Sequence, residues 1–197
     1  MKFQAKPTDP TKFETDLLVV FAFTGKKTEE VVFTAEARII DKALDGGLFD
    51  TLASEKFEAG VGKTFLLHTR ESLGAKRILV AGLGPAKELT AHDLQEVAAS
   101  IARRAKASAV KHVGVVLSGE LLDLFGTKET TQRVVEGMFL GSYTFLRHKG
   151  EEIRNKDHVV EEVALVVTAG RLDAVSEGIT DGVTIGSAVT FARDLVN

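Results

Sequence analysis

The chain has 197 residues, 44% of them hydrophobic and 27% charged, with a formal net charge of −3. That length suits one domain, or one domain plus an extension, and folding at this size buries about 70% of the unfolded surface without staples. The absence of cysteine excludes disulfides, thiolate zinc sites and a cysteine nucleophile, and the charge balance gives no reason to expect nucleic acid or an anionic membrane as main partner.

Pro7, Asp9, Pro10, Glu14 and Asp16 interrupt the first residues, which rules out a signal peptide there. The longest apolar run, Leu17–Phe23, is far shorter than the about 20 residues a spanning helix needs. The expected location is the cytoplasm. The same run, closed by Thr24-Gly25, predicts a strand buried on both faces. Val31–Thr34 is a weaker strand candidate. Ala35–Leu44 has helical spacing, with Ile39, Ile40, Ala43 and Leu44 on one side, and Gly46-Gly47 interrupts it. A second short helix is predicted over Leu48–Ala53.

Thr64–His68 and Arg77–Ala81 read as strands, the latter followed by a turn at Gly82-Leu83-Gly84-Pro85. Thr90 and Asp93 form a capping-box signal ahead of a helix striped by Leu94, Val97, Ala98, Ile101, Ala102 and Ala105. Val113–Leu117 reads as a strand closed by Ser118-Gly119. Thr130–Leu146 reads as a helix, Arg147–Asp157 as a charged loop, and Val163–Val167 as the last strand. Leu172–Val196 reads as a long helix despite Gly178, Gly182 and Gly186, each costing about 1 kcal/mol against alanine. Strands alternating with helices predict an α/β fold: a three-layer sandwich whose mixed, mostly parallel sheet is flanked by helices.

No catalytic motif emerges. Gly60-Val61-Gly62-Lys63-Thr64 imitates the end of a P-loop, but Phe57 stands where the first glycine is needed and a β-like run follows the lysine. Gly82-Leu83-Gly84 has part of a dinucleotide fingerprint, but Lys87 stands at the third glycine position. Gly25, Gly119 and Gly170 close other strands, where they either admit a ligand or simply make turns. His68, His92, His112, His148 and His158 are scattered, with no zinc-binding helix among them. No serine lies in a nucleophile elbow. Arg103, Arg104, Lys106 and Lys111 make a modest basic stretch without interleaved aromatics. No residue is assigned a catalytic, cofactor-binding or metal-binding role.

Three segments, in order, resemble the leucyl (cytosol) aminopeptidase family. They are Arg77–Gly84 with Glu88-Leu89-Thr90, then Glu136–Phe145 with Arg147 and Lys149, then Ala192-Arg193-Asp194-Leu195-Val196-Asn197. Leu44–Gly47 and Gly62–Leu67 sit in familiar order between them. The resemblance implies that residues 1–170 form a macro-like N-terminal domain and 171–197 a helix leading to a C-terminal catalytic domain absent from this chain. It implies two divalent metals, zinc or manganese, in that catalytic domain, held by residues beyond Asn197. There they would activate a water and polarise the scissile carbonyl. It also implies peptide substrates, a hexamer in the full-length protein and a role of this domain in assembly or regulation. By itself the chain is expected to be inactive. Two other readings stand beside this one: a macro-like module for a nucleotide or ADP-ribose, and an accessory DNA-binding surface.

Overall fold

Leu17–Phe23 sits at the middle of a seven-stranded sheet, in a computed structural model that describes residues 1–27, 30–145, 158–167 and 169–196. The run forms β2 (Leu17–Thr24). The other strands are β1 (Lys2–Lys6), β3 (Val31–Phe33), β4 (Thr64–His68), β5 (Arg77–Pro85), β6 (His112–Val116) and β7 (Glu162–Val166). Their order is β1-β7-β6-β2-β5-β4, with β3 paired to β2 off this path. β1, β7, β6, β2 and β5 are mutually parallel, and β4 closes one edge antiparallel to β5. The helices are α1 (Ala35–Ala43), α2 (Gly47–Ser54), α3 (Ala91–Ala107), α4 (Gly119–Phe125), α5 (Thr127–Ser142) and α6 (Leu172–Val196).

Side-chain alternation on β2 divides the core. Leu17, Val19, Phe21 and Phe23 point to one face and pack with Leu94, Val97 and Ile101 of α3, Leu121 of α4, Val134 and Met138 of α5 and Val175 of α6. Leu18, Val20 and Ala22 point to the other and pack with Ala37 and Ile40 of α1 and Leu48 and Leu52 of α2. The sheet is therefore flanked by helices on both faces, as the alternating pattern predicts. Thr90 caps α3: its side chain accepts from Asp93 N–H at 3.1 Å, and Thr90 N–H donates to the Asp93 carboxylate at 2.9 Å.

α3, α5 and α6 pack unusually closely because glycines line their contacts. A Cβ at Gly141 of α5 would lie 2.1 Å from the Ala99 carbonyl oxygen of α3. One at Gly178 of α6 would lie 2.5 Å from the Lys128 carbonyl oxygen of α5, and one at Gly182 would lie 2.7 Å from Val135 Cβ. Gly178, Gly182 and Gly186 recur every four residues, so they form one stripe along α6. Their cost in helix propensity is offset by backbone-close packing against α5.

Several elements differ from the sequence reading. β5 runs on through Gly82-Leu83-Gly84-Pro85, which is strand and not turn. α5 starts at Thr127 and its described part ends at Ser142, and the unanticipated α4 precedes it, capped by Ser118, whose side chain accepts from Leu121 N–H. β1 lies outside the strands that the sequence predicts; only Phe3 and Ala5 of its five residues pack on the core, too weak an alternation to read. β6 pairs with β2 only as far as Val19, and β3 folds back to pair with Ala22–Thr24. The charged stretch Arg147–Asp157 lies outside the described residues.

One carboxylate ties the starts of three strands. Asp16 accepts from Lys76 Nζ at 2.8 Å and from the N–H groups of Lys111 and His112 at 3.3 and 3.1 Å. Burial pushes its pKa up, but the hydrogen bonds from Lys76, His112 and Lys111 outweigh that and hold it at about 2, against an ordinary 3.8.

Gly141→Ala is expected to cost about 1–3 kcal/mol in urea unfolding, because overpacking against Ala99 exceeds the roughly 1 kcal/mol that alanine gains in helix propensity. Because the folded pKa of Asp16 is depressed, its contribution is complete above the unfolded value and fades as pH falls toward about 2. Asp16→Asn is therefore expected to lower the urea midpoint at neutral pH and to shrink the difference from the parent protein in acid.

Candidate functional site

The glycine motifs singled out in the sequence meet one another. Gly62 N–H donates to the Gly82 carbonyl at 3.1 Å, Gly82 N–H donates to the Lys63 carbonyl at 2.8 Å, and Gly84 N–H donates to the Ala59 carbonyl at 2.8 Å. A Cβ at Gly82 would fall 2.4 Å from the Gly60 carbonyl oxygen. The P-loop-like run and the fingerprint-like run are thus two halves of one backbone contact. Neither opens a helix, so neither offers a phosphate the amide cradle it needs.

The carboxyl ends of parallel strands are the usual ligand crevice of such sheets. Here they border a cavity of about 360 Å³, lined by Pro7, Asp9 and Pro10 after β1, by Val116 and Leu117 of the β6 end, by Val166 and Val167 of the β7 end, and by Glu36. Gly119 begins α4 beside it, Gly25 makes the β2–β3 turn, and Gly170 sits in a 3₁₀ turn.

Two helix N-termini exchange carboxylates at this crevice. Glu36, in the first turn of α1, accepts from Gly119 N–H of α4 at 3.3 Å. Glu120, in the first turn of α4, accepts from Ala35 N–H of α1 at 2.8 Å. Burial raises the Glu36 pKa, the N–H groups of Glu36 and Gly119 lower it, and the neighbouring Glu120 adds to the rise. The positive ends of both helices are therefore already matched by internal anions, and the crevice wall is acidic. A phosphate entering here would meet repulsion.

Among the described residues, no three His, Cys, Asp or Glu side chains cluster in a way that could hold an ion. His92 lies 3.6 Å from Glu96, and His112 lies 3.3 Å from Asp16, each a surface pair. His148 lies outside the described residues. The paired metals implied by the resemblance are expected beyond Asn197, in the catalytic domain.

The segments that carry the resemblance do come together. Glu136 opens the second one; its buried carboxylate accepts from Gln132 at 2.7 Å, Gln95 at 3.0 Å and Arg133 at 3.2 Å, which ties α5 to α3. Tyr143 ends α5 and donates to Asp194 Oδ1 of α6 at 2.9 Å, and the Arg193 guanidinium lies 4.3 Å from the Tyr143 ring centre. Beyond the glycine stripe the outer half of α6 is apolar and exposed: Phe191 by 65%, Leu195 by 71% and Val196 by 89%, with Ile185 and Val189 beside them. Periodicity alone could not find this, because both faces of α6 carry apolar residues there.

A profile described as the cytosol aminopeptidase family, N-terminal domain, matches residues 19–152. The chain belongs to that family. It is 35% identical to the probable cytosol aminopeptidase of Geotalea uraniireducens, an alignment covering 100% of this chain and 38% of that protein. With the probable cytosol aminopeptidase of Sulfurihydrogenibium sp. the identity is 30%, over 93% of this chain and 35% of the relative. A tomato leucine aminopeptidase mutant shares the fold at a TM-score of 0.78 and 20% identity, over 100% of this chain and 38% of that one. The Bottromycin maturation enzyme BotP in complex with Mn is similar at a TM-score of 0.59 and 24% identity, over 93% of this chain and 32% of BotP. The chain thus spans little more than a third of the length of these cytosol aminopeptidases.

Titration of the chain with ADP-ribose is expected to give no saturable heat, because the strand-end crevice presents carboxylates where a pyrophosphate needs donors. Saturable binding that Glu36→Lys strengthens would be the expected behaviour of a phosphate site, and calorimetry on both proteins separates the two outcomes.

Proposed function

We propose that this chain is the non-catalytic N-terminal lobe of a metal-dependent leucyl aminopeptidase. In this reading residues 1–170 form a macro-like domain, and 171–197 form the helix that leads to a C-terminal catalytic domain. The two divalent metals, zinc or manganese, and the peptide site belong to that second domain. The full-length protein is a cytoplasmic hexamer that releases N-terminal residues from peptides, and the lobe serves its assembly or regulation.

The observation that carries this reading is the divided character of α6. Its glycine face is sealed against α5, while Phe191, Leu195 and Val196 are largely exposed on its outer half and Ile185 and Val189 partly so. Large apolar side chains exposed together on one helix suit a surface that another element covers. Family membership supplies the partner in kind, since the relatives carry further chain beyond this domain. The Tyr143–Asp194 hydrogen bond and the Arg193–Tyr143 contact hold that half of the helix in a fixed orientation, which suits a docking surface. The acidic crevice speaks against the nucleotide alternative, and the net charge of −3 speaks against the DNA-binding one.

The 197-residue chain is expected to release no p-nitroaniline from leucine p-nitroanilide with Mn²⁺ or Zn²⁺ added, whereas the protein extended by its catalytic domain does so. In the extended protein, Leu195→Asp is expected to lower turnover at least about tenfold through lost docking, while the melting temperature of the lobe alone moves by no more than roughly 2 °C. Metal-dependent turnover by the chain alone would overturn the reading.

A further inference from the structure

The opposite face of the sheet holds a larger cavity. β3, α2 and the segment after α2 border an open cavity of about 700 Å³, within the range of small-molecule sites. Its wall is aromatic. Phe33 and Phe49 stack with ring centres 3.6 Å apart and planes 12° apart. Phe57 meets Phe65 edge-on at 6.1 Å, and Val31 and Leu52 complete the apolar lining. The remaining lining includes three exposed charges, Asp50, Lys56 and Glu58. None of these three side chains has a hydrogen bond or ion pair within the described residues. Among the described residues these three are left available to a ligand, unlike Lys111, which pairs with Glu161, and Lys128, which pairs with Asp181.

We propose that this cavity binds a free hydrophobic α-amino acid. The side chain enters against Phe33, Phe49 and Phe57, the carboxylate meets the Lys56 ammonium, and the amino group meets Asp50 and Glu58. Charge complementarity selects this ligand among apolar molecules. A fatty acid would satisfy Lys56 and be opposed by two carboxylates. An apolar amine, or the N-terminal residue of a peptide, would satisfy the carboxylates and leave Lys56 opposed to its positive charge. A zwitterion with an apolar side chain matches all three groups and the wall together. The inference stands apart from the aminopeptidase reading, since it uses only residues of this lobe.

The local backbone supplies a clean test. Lys56 closes α2 with φ of 51°, where its N–H donates to the Ala53 carbonyl and Phe57 N–H donates to the Leu52 carbonyl. Glycine is the residue that this left-handed closing position favours. Lys56→Gly therefore removes the ammonium without opening the helix end. Calorimetric titration of the 197-residue chain with L-leucine and L-phenylalanine is expected to show saturable binding. Lys56→Gly is expected to weaken it at least about tenfold, with no fall in melting temperature. Leucinamide and N-acetyl-leucine, each lacking one of the two charges, are expected to bind at least about tenfold more weakly than leucine. Absence of saturable binding would overturn the proposal. So would equal binding by Lys56→Gly, or leucinamide binding as tightly as leucine, which would point to peptide N-termini. Each of these results leaves the assay of the catalytic domain untouched, so the two readings fail separately.

Discussion

β2 has no side exposed to water. Each residue of Leu17–Phe23 is buried, the strand pairs along both edges, and helices cover both of its faces. A strand in that position can persist only if every neighbour is in place, because its apolar side chains and its backbone groups otherwise meet solvent. β5 and β6 supply the edges, α3 and α5 one face, and α1 and α2 the other. Asp16 then anchors the entrance of β2 to the starts of β5 and β6, so the three central strands share one register at their amino ends.

The second constraint is proximity of backbones. On the α3–α5–α6 side, helices approach until a single methyl group would collide with a carbonyl oxygen, and glycine is the only side chain that fits. The same device recurs on the β5 side, where Gly82 lies against Ala59 and Gly60. These glycines look like ligand-binding motifs in sequence because both roles demand the same property, close approach to a backbone. The partner here is the chain itself. What the fold leaves unfilled lies elsewhere, in the outer half of α6 and in the aromatic cavity beside α2.

The core was legible in the sequence wherever one physical pattern acted alone. The continuous apolar run gave β2, the capping pair Thr90 and Asp93 gave the start of α3, and helical spacing gave α6 to its last described residue. The misses share a cause, which is tertiary context acting on weak local signals. β1 has two charged ends and only two core-facing residues, so it exists because β7 offers it an edge. β5 continues through two glycines because the Ala59–Lys63 backbone lies alongside them. The family segments were readable; the acidic exchange between Glu36 and Glu120 was not, because it joins residues 84 positions apart.

The pairing of β1 with β7 sets the order in which the molecule can be completed. Lys2–Lys6 precedes every other described strand in the chain, yet among the described residues its strand partner is Glu162–Val166, and α6, later still in the chain, also packs on it. β1 must therefore wait, unpaired, until β7 has left the ribosome, and its docking closes a loop of very high contact order. That makes the sheet edge at β1 the natural place for fraying, and couples the two ends of the lobe: loosening α6 also loosens the amino terminus.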